Sequence, residues 1–185
     1  WSNDCILGSD VATFAHSLGA TGYETVLCGR MHFTGADQRH GFETRLVGDI
    51  TPVMPGGFHN DSEGLWGTTG QSLLSAKTSG PGTTWVQAYD RAVTDAAVDF
   101  LKERDARTDE LRPLCMVVGL YTPHCPFVAP KHLYDEYFEQ TQAPEVPEGY
   151  FEILHPAMKD WLKNRRIDGM SPEIVTRIFE PFYTT

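Results

Sequence analysis

The sequence predicts an α/β chain with a largely parallel sheet flanked by helices, and three kinds of segment carry that prediction. Tyr23 to Cys28 is rich in β-branched and apolar residues and lies between Gly22 and Gly29, as a strand bounded by turn signals would. Leu114 to Leu120 is a continuous apolar run, the pattern of a strand buried on both faces. Helical patterns alternate with these runs. Val11, Phe14, Ala15 and Leu18 follow i, i+3, i+4, i+7 spacing behind Ser9 and Asp10, so a helix is expected over about residues 10–19, stopping near Gly19 and Gly22. Asp90 is expected to cap a second helix running to about Glu103, with Val93, Ala96, Ala97, Phe100 and Leu101 on one face. Helix, buried strand, helix, buried strand is the order that builds a parallel sheet with helices packed on it.

Composition narrows the function classes. The 185 residues fit one ordinary domain or part of a larger one, and 41% hydrophobic content suits a packed core. A formal net charge of −10, with no basic stripe, argues against nucleic acid or an anionic membrane as partner. No apolar run is long enough to span a bilayer. The first residues, Trp1-Ser2-Asn3-Asp4, show no signal-peptide pattern, and the missing initiator Met suggests a truncated start. Cys5, Cys28, Cys115 and Cys125 form no Cys-x-x-Cys pair, and Cys28 and Cys115 read as small buried hydrophobes. The expected compartment is the cytoplasm, with a periplasmic or secreted location as the alternative. Oligomeric state is not readable.

Arg30 and His32 directly follow the first strand. Open α/β sheets bind their ligands just past the carboxyl ends of strands. In an extended segment these two residues would share one side. A fixed cation beside a titratable ring suits an anionic substrate that exchanges a proton. The plainer reading gives Arg30 a surface carboxylate partner and makes His32 a rim histidine. Tyr121 to Pro130 forms a proline-punctuated loop after the second strand, so parallel strands would bring both segments to one sheet edge.

Gly22-Tyr23-x-Thr25, Gly29-Arg30-Met31-His32-Phe33 and His40-Gly41-Phe42-Glu43 resemble the central segment of the sulfatase family, particularly its choline-sulfatase-like branch. Tyr121-Thr122-Pro123-His124-Cys125-Pro126-Phe127-Val128-Ala129-Pro130 resembles the same family's His-x-Pro-Phe segment. The likeness covers about residues 1–170 and continues through Tyr134 to Tyr137. It implies a partial alkaline-phosphatase-like sandwich and a sulfuric ester hydrolase acting on small sulfate monoesters. Such enzymes use a formylglycine diol as nucleophile and a divalent cation, usually calcium, to gather the sulfate oxygens. On that resemblance His32 and His124 are catalytic, the first beside the diol and the second protonating the leaving alcohol. Arg30 stands where the family usually has lysine. It keeps the charge and adds a planar fork suited to sulfate, but cannot donate a proton, so its expected role is substrate binding.

Other family features have no counterpart. Cys125-Pro126 does not fit the nucleophile pattern Cys-x-Pro-x-Arg, and Ser79-Gly80-Pro81-Gly82-Thr83 lacks the arginine. No Asp-Asp pair occurs, and a hard cation needs about six oxygen ligands. Residues 1–170 are therefore expected to be the central part of a sulfatase catalytic domain, inactive alone, with cation and formylglycine belonging to the parent and no metal ligand here. Asp37 and Asp49 are candidate recognition carboxylates for a cationic alcohol such as choline. His40 is expected to place its loop, and His16 to be a surface or packing residue. The last residues, about 169–185, also resemble the ATP-lid segment of sensor histidine kinases, which the reading treats as a fusion, assembly or frame artefact. A phosphate or phosphonate monoester hydrolase of the same fold, or a non-catalytic anion-binding module, are the competing functions.

Overall fold

A computed structural model describes residues 5–49, 75, 77–141 and 148–164. They fall into two compact units. The expected tail of 171–185 and most of residues 50–76 lie outside the described residues.

The first unit, from residues 5–49 and 85–121, is a parallel sheet between two helices. Its elements are α1 (Phe14–Ala20), β1 (Glu24–Gly29), β2 (Thr44–Arg45), α2 (Trp85–Asp105) and β4 (Leu114–Gly119). The strand order is β2-β1-β4, all parallel, with Glu24 opposite Leu114 and Gly29 opposite Gly119. Successive residues of a strand point to opposite faces, and the two apolar cores follow that alternation. Leu27 packs with Ala15 of α1, Phe42 and Val117, while Cys28 packs with Val93 and Ala97 of α2 and with Met116. β1 is buried from Thr25 to Gly29 because it has a strand on each side and a helix on each face.

β4 departs from expectation. Its residues are only half-buried and Val118 is 45% exposed. Among the described residues it pairs on one side only, with β1, so its apolar run does not have the full cover that a central strand enjoys. α1 starts later than the pattern suggested, at Phe14, because Thr13 rather than Asp10 takes the capping position. The Thr13 N–H donates to His16 Nδ1 at 3.2 Å and its hydroxyl donates to the His40 carbonyl at 2.6 Å. α2 starts earlier, at Trp85, and Asp90 lies inside it rather than at its cap. Its buried stripe is Val86, Asp90, Val93 and Ala97. The charged residues around the end of α2 form ion pairs. Arg104 pairs with Glu24 and donates to the Arg112 carbonyl, while Arg112 pairs with Glu43 at 2.5 Å.

The second unit contains β3 (Gly80–Pro81) and β5 (Val128–Ala129), paired in parallel, with α3 (Lys131–Phe138) and α4 (Pro156–Asn164). α3 packs against β3, and Tyr134 stacks on Phe138 at 5.1 Å. No described helix is long and apolar enough to cross a membrane.

Candidate functional site

The site of the first unit lies at the carboxyl ends of its three strands. β1 runs out at Gly29, in a positive-φ conformation, and the Arg30 N–H donates to the Gly119 carbonyl at 2.8 Å. The approach is so close that a Cβ on Gly119 would sit 1.7 Å from the Arg30 carbonyl oxygen. Arg30 is thereby held beside Tyr121, the second residue past β4. Its guanidinium carbon lies 4.3 Å from the centroid of the Tyr121 ring, within cation–π range. One Nη is 3.3 Å from His32 Nδ1. A guanidinium can only donate, so Nδ1 is the acceptor and the neutral His32 ring carries its proton on Nε2. Among the described residues Arg30 has no carboxylate partner, so the surface ion pair of the plainer reading is not formed.

His32 and Arg30 meet for a different reason than period-two alternation. His32 has φ of 60°, in the left-handed region that side chains other than glycine seldom adopt. Asp49, past the end of β2, holds it there by accepting the N–H groups of His32 at 2.7 Å and Met31 at 3.3 Å. Both of these contacts use one carboxylate oxygen, which makes Asp49 a backbone anchor. Asp37 is another. It accepts the N–H groups of Arg39 and His40, and these bonds, the His40 one foremost, lower its pKa to about 2. His40 itself is buried against Phe33, with ring centroids 4.4 Å apart.

Several side chains that the sequence reading did not single out fix this loop. Arg45 donates to Gln38 through its carbonyl and side-chain oxygens and to the Gly29 carbonyl. Gln38 in turn donates to the carbonyls of Phe33 and Gly35. Two consecutive residues of α2 brace the two sides of the site. The Tyr89 hydroxyl donates to the Gly48 carbonyl at 2.8 Å, next to Asp49, and burial followed by the Asp49 charge pushes its pKa up to about 12. The Asp90 carboxylate accepts the Tyr121 N–H at 2.6 Å. The signal for Asp90 was present in the sequence, as a carboxylate on an otherwise apolar helical stripe. Arg45 and Gln38 had none, because most of their partners are backbone groups brought close only by folding, and Asp49, expected as a recognition carboxylate, accepts backbone N–H groups.

His124 belongs to the second unit. Its Nδ1 lies 3.0 Å from the Cys125 carbonyl oxygen and 3.3 Å from Cys125 Sγ. A carbonyl only accepts, so Nδ1 is the donor in this contact and carries the proton of the neutral ring. Cys125 is 1% exposed. Of the other cysteines, Cys28 is fully buried, which raises its thiol pKa, and Cys115 is half-buried.

Among the described residues no group of three or more His, Cys, Asp or Glu side chains is arranged to hold a metal ion. Asp37 and Asp49 both have an oxygen committed to backbone N–H groups. The described donor set therefore does not fit the cation that sulfatases carry.

A parallel sheet with helices packed on both faces defines a class, the open-sheet α/β proteins. Sequence comparison gives the family. The choline-sulfatase of Rhizobium meliloti (strain 1021) is 34% identical across 75% of this chain. An uncharacterized sulfatase, YidJ, of Escherichia coli (strain K12) is 28% identical across 74% of it. No family model matches the chain. The chain belongs to the sulfatase family, and it spans 28% of the length of each of these relatives.

Proposed function

We propose that this chain is the central part of a sulfuric ester hydrolase (EC 3.1.6.-) that cleaves small sulfate monoesters, and that it is inactive alone. Arg30 binds the sulfate group, and His32 and His124 are the catalytic histidines. The observation that carries this reading is the Arg30 guanidinium, set over the Tyr121 ring and touching His32 at the carboxyl edge of a parallel sheet, with no carboxylate neutralising it among the described residues. A fixed positive charge at that position stabilises negative charge developing on sulfate oxygens. With Nδ1 accepting from Arg30, His32 offers Nε2–H as a further donor to the same anion. His124, its Nδ1–H held by a carbonyl, can deliver a proton from Nε2 to a departing alkoxide when charged.

A divalent cation, calcium in our reading, and a formylglycine would supply electrophilic assistance and the nucleophile in the parent. The described residues offer neither, so no step is assigned through them.

Turnover of matched sulfate and phosphate esters by a protein extended on both sides of this chain tests the reading. Preferential sulfate hydrolysis that collapses in Arg30→Ala is the expected result. Preference for phosphate or phosphonate esters would move the protein to that reaction class. Binding of sulfate without turnover would make it an anion-binding module.

A further inference from the structure

We propose that Tyr121 is a positioning residue for Arg30, its ring being the platform that turns the guanidinium edge toward an oxyanion of the sulfate class. The inference rests on the reading of Arg30 as the anion-binding cation. An arginine side chain has considerable rotamer freedom, and a half-buried one at a strand end would sample many orientations. Here its guanidinium carbon lies over the Tyr121 ring, 4.3 Å from the centroid. Stacking uses the face of the guanidinium and leaves its N–H donors in the plane, where a tetrahedral anion can accept two of them.

Tyr121 is itself held firmly. It is 3% exposed, its backbone N–H donates to the Asp90 carboxylate at 2.6 Å, and its ring lies against Trp85 with centroids 5.7 Å apart. Asp90 sits on the buried stripe of α2, so the platform is tied to the most extensive helix of the unit. The Gly119–Arg30 approach sets the spacing between cation and ring. A lysine ammonium has no face to stack, so this arrangement suits the arginine that this sequence carries.

The test uses the full 185-residue chain, labelled with nitrogen-15, with inorganic sulfate as the probe. The Arg30 Nε–H resonance is assigned by its disappearance in Arg30→Lys. Ring current should place it upfield of exposed arginines in the wild type and in Tyr121→Phe, and at exposed-arginine positions in Tyr121→Leu. Sulfate should bind Tyr121→Leu on the order of 5-fold more weakly, the scale of one cation–π contact, and Tyr121→Phe about as well as wild type. A wild-type Arg30 resonance at the exposed position would overturn the proposal, as would a Tyr121→Leu protein that binds sulfate like wild type. If Tyr121→Leu does not fold, the resonance positions in wild type and Tyr121→Phe decide the matter. A ring-shifted Arg30 in a wild-type chain that binds no sulfate would sink the sulfate reading and leave the hold of Tyr121 on Arg30 intact.

Discussion

Replacing Gly119 by alanine would drive a methyl group into the backbone that presents Arg30. The added Cβ would lie 1.7 Å from the Arg30 carbonyl oxygen, 2.6 Å from its carbonyl carbon and 2.9 Å from its nitrogen, where real Cβ atoms essentially never come closer than 3.0 Å. The obstacle is backbone on the neighbouring strand, so no side-chain rotation relieves it and the ends of β1 and β4 must separate. Overpacking of this kind destabilises by about 1–3 kcal/mol. Separation also breaks the Arg30 N–H to Gly119 carbonyl bond, worth about 0.5–1.5 kcal/mol. Together they give a loss of roughly 2–4 kcal/mol, a large share of the stability of an ordinary domain. Urea unfolding followed by tryptophan fluorescence, analysed by linear extrapolation, measures it. Gly48→Ala is the matched control, since nothing lies within 4 Å of a Cβ there, and should change stability by less than about 1 kcal/mol. A Gly119→Ala midpoint indistinguishable from that of Gly48→Ala would refute the steric argument.

Further outcomes follow from the same geometry. In an active parent, Arg30→Ala should lower kcat/KM on the order of 10²-fold, the scale of one oriented electrostatic donor, and Arg30→Lys should fall in between because it keeps charge but loses the stacked plane. An Arg30→Ala enzyme within a few-fold of wild type would remove Arg30 from the site. His124→Ala should slow esters of poor leaving alcohols far more than an activated aryl sulfate; equal losses on both would argue against a proton-donating role. Asp37 is held near pKa 2, below its ordinary 3.8, chiefly by the His40 N–H. Its stabilising contribution is therefore complete above about pH 4 and is lost as pH falls toward 2. Asp37→Asn should flatten the acid limb of the stability curve in that window, and an unchanged limb in acid titrations would count against the anchor. The chain by itself should hydrolyse neither an aryl sulfate nor choline sulfate with or without added calcium, because nucleophile and metal act as a unit; turnover abolished by His32→Ala would show that this chain carries the chemistry without them.

The elements were legible where burial is dictated by local pattern. Tyr23 to Cys28 could be read as a strand because a run of apolar and β-branched residues between glycines has few other stable uses, and Glu24–Gly29 is that strand. The second helix was recognised but begun five residues late, because Asp90 looked like a cap. It is a buried helical residue whose carboxylate accepts the Tyr121 N–H, a donor from a distant part of the chain. Leu114 to Leu120 read as doubly buried from its composition, yet sheet position decides how much cover a strand receives, and β4 has a partner on one side only among the described residues.

By itself the sequence determined the fold class and the family resemblance, and it singled out Arg30 and His32, because these depend on residue types at short spacing. Tertiary structure alone decided how that pair is built. His32 reaches Arg30 through a left-handed turn clamped by Asp49, and Arg30 faces Tyr121 because two glycines let β1 and β4 end in contact. The physical reason is that backbone N–H and carbonyl groups are identical at every position. Which carboxylate or ring they meet depends on chain segments that only folding brings together.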